Sequence, residues 1–200
     1  DEYAGLLRRA RPAGPYRLAG WSMGGAVALA VAAELERGGA DVDFVGLFDP
    51  VIHPRLNEAG GAGLFLDPAS VILEDLVAAA PLLDAEARES AGGLAALYRS
   101  LESPPEGERV ERVVAEASER GLARGEASRN ALRDVLLLLE KHGRLLASFS
   151  PPRLRAPVFV WLPQAGRSDQ VTAAAADWLT LEAPELITTP GNHWSMMSQP

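Results

Sequence analysis

The 200-residue chain contains no cysteine. That absence excludes disulfides, thiolate metal sites and cysteine nucleophiles together, and it suits a reducing, cytoplasmic setting. Positive charge is scarce as well. Nineteen Lys and Arg face 27 Asp and Glu, for a formal net charge of −8, and no basic stripe interrupts the balance. A nucleic-acid partner, which needs cations to neutralise phosphates, is therefore not expected. No apolar run approaches the roughly 18 residues of a membrane span, and the start Asp1-Glu2 is unlike a signal peptide. No grouping of His, Asp and Glu has metal-ligand spacing, so neither a metal nor a cofactor is expected. Lys141 is the single lysine among many arginines, in a chain rich in Ala, Gly and Pro, a bias shared with GC-rich bacterial genes. What is present in quantity is hydrophobic residue, 48 %, enough for one ordinary globular domain over residues 1–200.

The most informative run is Gly20-Trp21-Ser22-Met23-Gly24-Gly25. It lies between a strand-like stretch, Tyr16 to Gly20, and an Ala-rich helical one, Ala26 to Glu36. A strand that turns abruptly into a helix can hold one serine in a strained conformation with its hydroxyl in a cleft. Gly20 and Gly24 stand where side chains are expected to collide with the turn, and Gly25 is expected to bring the helix close to the strand. The backbone N–H of Met23, at the helix start, is a candidate oxyanion donor assisted by the helix dipole. Ser22 is thus a candidate acyl acceptor.

Along the rest of the chain, Tyr3 to Arg11 reads as the tail of an amphipathic helix, broken by Pro12-Ala13-Gly14-Pro15. Asp43 to Phe48 reads as a buried strand ending in Asp49-Pro50. Continuous apolar strands alternating with helices predict a mostly parallel sheet covered on both faces, with ligands at the carboxyl ends of its strands. Between about residues 60 and 150 the strand signal gives way to a helical insertion: Ile72, Leu73, Leu76, Val77 and Ala80; Val110, Val113, Val114 and Ala117; then Asn130 to Ala147. Strand character returns over Arg155 to Leu162, a helix is predicted over Ala173 to Leu181, and Glu185 to Thr188 forms a last strand before the loop Pro190-Gly191-Asn192-His193-Trp194.

A serine hydroxyl needs an imidazole to take its proton and a carboxylate to orient that imidazole. His142 lies in a helical run and reads as a solvated residue near a helix end. His53 follows the Asp49 strand. His193, in a Gly-containing loop after the last strand, can reach back over the strand ends and is the preferred base. Two carboxylates compete: Asp49, at the end of the strand after the elbow helix, and Asp169, in the loop Gly166-Arg167-Ser168-Asp169-Gln170. Each also reads as a turn residue, and spacing leaves the choice open. Trp21, Trp194, Met196 and Met197 read as packing rather than as substrate contacts.

The elbow, the strand end Gly46-Leu47-Phe48-Asp49 and the terminal Pro190-Gly191-Asn192-His193-Trp194-Ser195-Met196-Met197 together resemble the chain-terminating thioesterase domains of nonribosomal peptide and polyketide synthetases. The resemblance implies an α/β-hydrolase fold and a triad of Ser22, Asp49 and His193, because in that family the acid lies some 27 positions past the serine. It implies that the helical insertion is a lid, and that the acyl group arrives as a thioester on the phosphopantetheine arm of a peptidyl or acyl carrier domain. Release by hydrolysis or by macrocyclisation, as in antibiotic biosynthesis, is the expected outcome. It further implies that leading strands, with the loop giving a second oxyanion N–H, belong before Tyr3. The alternatives are a free-standing editing thioesterase, a simple serine esterase, or a non-catalytic carrier-binding module on the same scaffold.

Overall fold

A computed structural model describes residues 2–50, 93, 96, 98, 107–164, 184–193 and 195–197. Backbone packing divides the chain into two compact units, Asp1–Ala62 with Leu146–Pro200, and Gly63–Leu145.

The first unit is built on four parallel strands in the order β1-β2-β3-β4: Tyr16–Trp21, Val42–Phe48, Val158–Pro163 and Glu185–Thr189. Parallel neighbours require crossovers, and between β1 and β2 the crossover is helix α2, Met23–Arg37, which packs on both strands. Helix α1, Glu2–Ala10, lies against α2. The α/β-hydrolase character expected from the sequence is therefore present. The apolar strand residues sort by alternation. Val45, Leu47, Val158, Val160 and Leu162 face one way and are buried with Ala28, Leu29, Ala32 and Leu35 of α2. Each such fully buried Leu or Val contributes roughly 1.5–3 kcal/mol relative to exposure. Phe44, Phe48, Phe159 and Trp161 form the opposite face, where Phe48 and Trp161 stack with centroids 4.7 Å apart. Gly46 stands among them because a side chain there would meet the Phe44 ring at 2.9 Å.

Several boundaries differ from the sequence reading. β2 begins at Val42, and pairing passes from Tyr16↔Val42 to Arg17↔Phe44, so Asp43 is an extra residue bulged out of register. The bulge lets Val42 share the aliphatic face with Val45. β3 starts at Val158 rather than Arg155, since Pro157 has no N–H to give the ladder, although its carbonyl accepts from Val45 N at 3.1 Å. α2 starts at Met23, three residues before Ala26, so the helix begins immediately after Ser22.

In the second unit, α3 (Glu108–Glu119) and most of α4 (Gly125–Ser148) are described. The four apolar positions Val110, Val113, Val114 and Ala117 are all buried, together with Tyr98, Ala123, Leu136 and Leu139. Gly107, Gly121 and Gly125, all at positive φ, delimit the two helices. Arg133 of α4 donates to both carboxylate oxygens of Glu111 on α3, at 2.5 and 2.9 Å. α4 begins five residues before Asn130 and continues past His142, which is therefore inside the helix and half-buried rather than near its end. Burial, and secondarily the charge of Lys141, hold its imidazole pKa below the ordinary value. The apolar series Ile72 to Ala80 and the helix expected over Ala173 to Leu181 lie outside the described residues.

Candidate active site

The site is assembled from the carboxyl ends of β1 and β2 and the loop that follows β4. Trp21, Phe48 and Trp161 are ladder partners in register. Beyond them the ladder continues for one more step: Ser22 N donates to Phe48 O at 2.9 Å, and Asp49 N donates to Trp161 O at 2.8 Å. Ser22 and Asp49 therefore each occupy the first position past neighbouring strands.

Ser22 takes φ 54° and ψ −125°. L-residues seldom adopt such a conformation, and holding it costs on the order of 1–3 kcal/mol. Serine at a helix N-cap ordinarily bonds back to the helix through its side chain. Here no side-chain cap bond forms, so the hydroxyl is not consumed by the helix. The turn depends on Gly20, where a Cβ would lie 2.0 Å from Gly24 O. Gly25 is tight as well, with a Cβ position 3.0 Å from Cβ of Pro50, the residue after Asp49. Gly24 departs from expectation: a Cβ there meets nothing within 4 Å, because the side-chain direction at that first-turn position leads away from the turn. Met23 opens α2, and the first N–H groups of a helix have no acceptor within it.

His193 and Asp49, 144 residues apart in the chain, meet through Nδ1 and Oδ2 at 2.6 Å. Asp49 is fully buried and His193 only 3 % exposed. A buried carboxylate on Nδ1 fixes the imidazole tautomer and leaves Nε2 as the nitrogen for proton exchange with a substrate-side group. His193 also meets the elbow. The Trp21 indole N–H donates to the His193 carbonyl at 3.0 Å, and the two rings stack with centroids 4.8 Å apart and planes at 27°. The loop is closed by a reciprocal pair: Asn192 N donates to Ser195 Oγ at 2.9 Å, and Ser195 N donates to Asn192 Oδ1 at 2.9 Å. Gly191, at φ 94°, admits Ser195 Oγ, which a side chain there would meet at 2.5 Å.

Of the sequence candidates, the structure thus brings Asp49 and His193 into contact and sets Ser22 at the adjoining strand end. His142 belongs to the second unit. His53, Asp169 and Trp194 lie outside the described residues. Trp21, read from sequence as packing ahead of substrate contact, packs its ring on the histidine and also donates its N–H to the His193 carbonyl. The Asn192-x-x-Ser195 spacing was the available signal for the closed turn, since two short polar side chains three residues apart can each bond the other's backbone N–H, the reciprocity also used in a capping box. Among the described residues, no group of three or more His, Asp or Glu could hold a metal ion, and no helix is long and apolar enough to cross a membrane.

Comparison with known proteins places these features in context. Residues 1–77 match the family model described as thioesterase domain. Atromentin synthetase nps3 of Serpula lacrymans is 45 % identical over 69 residues, 34 % of this chain and 7 % of that protein. N-(5-amino-5-carboxypentanoyl)-L-cysteinyl-D-valine synthase of Amycolatopsis lactamdurans is 39 % identical over 70 residues, 33 % of this chain and 2 % of that protein. The inactive atromentin synthetase invA4 of Paxillus involutus matches too, at 44 % over 61 residues, 30 % of this chain and 6 % of that protein. The chain therefore spans a small part of these synthetases, and its relatives are both fungal and bacterial. Among solved structures, the NocB thioesterase domain in covalent complex with a fluorophosphonate nocardicin G analogue superposes with TM-score 0.54 at 22 % identity, over 99 % of this chain and 66 % of that one. The thioesterase domain that cyclises the lipopeptide antibiotic surfactin superposes with TM-score 0.53 at 18 % identity, over 100 % of this chain and 67 % of that one. The likeness to these structures is one of fold, and with the family match it bears out the resemblance to synthetase thioesterase domains.

Proposed function

We infer, for a chain with the fold of synthetase thioesterase domains, that it releases finished acyl chains through a covalent intermediate on Ser22. The observation that carries this reading is the 2.6 Å contact between buried Asp49 and His193 at the strand ends where Ser22 lies.

His193 Nε2 takes the proton of Ser22 Oγ as the oxygen attacks the thioester carbonyl, and Asp49 stabilises the imidazolium that forms. The Met23 N–H faces the developing oxyanion. Collapse of the tetrahedral intermediate breaks the C–S bond, and His193 returns the proton to the departing thiolate. A second nucleophile then attacks the acyl-serine carbonyl as His193 takes its proton; the bond from the acyl carbon to Ser22 Oγ breaks, and His193 returns that proton to Ser22. Water yields a free acid, and an amine or hydroxyl of the acyl chain itself yields a macrocycle. The reaction needs no cofactor of the protein's own. The thioester is delivered on a carrier domain's phosphopantetheine arm, a partner suggested by the multidomain relatives.

The test is intact-mass spectrometry after incubation with peptidyl-pantetheine thioesters and, separately, with a fluorophosphonate. A covalent adduct mapping to Ser22, absent from Ser22→Ala, is the expected result. An adduct of equal amount on Ser22→Ala would sink the reading. The alternative is a non-catalytic carrier-binding scaffold, which the match to an inactive synthetase keeps in view. That alternative is favoured if wild type takes up neither reagent while still binding a loaded carrier domain.

A further inference from the structure

The geometry points to Trp21 as the positioning residue for His193, tying the base's loop to the strand residue that immediately precedes the nucleophile. This rests on the reading of Ser22, His193 and Asp49 just given, and adds to it the element that sets where the base stands.

Asp49 meets the imidazole at Nδ1, a contact that sets distance and direction at one ring nitrogen. The reciprocal bonds between Asn192 and Ser195 brace the turn that carries His193. Trp21 adds two constraints from one side chain. Its N–H fixes the main chain of His193 through the carbonyl, across 172 positions of sequence, and its ring face limits the tilt of the imidazole. The backbone of Trp21 is itself held by ladder pairing with Phe48, next to Gly20, whose position tolerates no side chain. Base and nucleophile are therefore referenced to adjacent residues of one rigid strand end. Phenylalanine can replace the ring face and not the N–H; alanine replaces neither.

Misplacement of a catalytic group by about 1 Å can cost on the order of 100-fold in rate. Trp21→Ala is accordingly expected to lower kcat on a small acyl-pantetheine thioester by about 100-fold with KM changed less than about 3-fold, and Trp21→Phe to recover about 10-fold of that loss. A second readout is independent of turnover. The proton between His193 Nδ1 and Asp49 gives a downfield NMR resonance, identified by its loss in Asp49→Asn. It is expected to persist in wild type, to weaken in Trp21→Phe and to vanish into solvent exchange in Trp21→Ala. Where Trp21→Ala fails to fold, Trp21→Phe decides by the same two measurements. A kcat and a downfield resonance both unchanged in the folded variants would overturn the assignment. If wild type itself forms no acyl-enzyme, the mechanism above fails while the resonance still decides whether Trp21 anchors His193.

Discussion

Ser22 and Asp49, one strand apart and each the first residue past its strand, are the two non-glycine residues with positive φ among those described, at 54° and 39°. Both are polar and both stand where substrates of parallel sheets bind. Strain at two neighbouring strand ends is a cost to folding that chemistry explains better than packing does.

The strain at Ser22 can be separated from its chemistry. Ser22→Ala and Ser22→Gly both remove the nucleophile and are expected to abolish acyl-enzyme formation. Glycine accepts φ 54° without a steric penalty, so Ser22→Gly is expected to be more stable than Ser22→Ala by about 1 kcal/mol. Chemical denaturation of the two variants, giving equal midpoints, would remove the argument from strain.

Asp49→Asn keeps the shape at Oδ2 and loses the charge that selects the His193 tautomer. Turnover is expected to fall by about 10⁴-fold, with little change in thermal stability. Asp169→Asn is expected to leave turnover within about 3-fold of wild type, because Asp49 already meets His193 Nδ1. Steady-state kinetics showing the reverse pattern would move the acid from Asp49 to Asp169.

The two outer glycines of the elbow carry opposite expectations. Gly20→Ala drives a methyl into Gly24 O, a backbone atom that cannot step aside, and is expected to abolish soluble expression or cost more than about 3 kcal/mol. Gly24→Ala, in the first turn of α2 with open space around it, is expected to be neutral or to stabilise by up to about 1 kcal/mol. Melting temperatures that fall equally in both variants would show that the elbow is governed by something other than this contact.

The Glu111–Arg133 pair makes stability depend on pH. Hydrogen bonding to Arg133, reinforced by its charge, lowers the Glu111 pKa from its ordinary 4.5 despite an opposing contribution from desolvation. A carboxylate depressed in the folded state stabilises above its unfolded pKa, and the effect fades as pH falls through the lower folded value. Urea unfolding between pH 6 and 3 should therefore show a steeper acid loss for wild type than for Glu111→Gln. The contribution is small because the pair is solvent-exposed, and it should shrink further in high salt.

The elbow, the alternating strands and the helix faces of α3 were readable in the sequence because each is set by neighbours within a few residues: glycines around a serine, valines at helical spacing, a proline that stops a ladder. Competition between Asp49 and Asp169 could not be resolved that way. Spacing along a chain says nothing about which strand lies beside which, and the contact of Asp49 with His193 follows from the order β1-β2-β3-β4 and the path of the last loop. The bulge at Asp43 and the empty surroundings of Gly24 were likewise hidden, since both depend on how a neighbouring element is placed. Trp21 makes the division plainest. Its type and its place before Ser22 are written in the sequence, but its hold on a histidine 172 positions away exists only once the sheet has brought the two ends of the unit together.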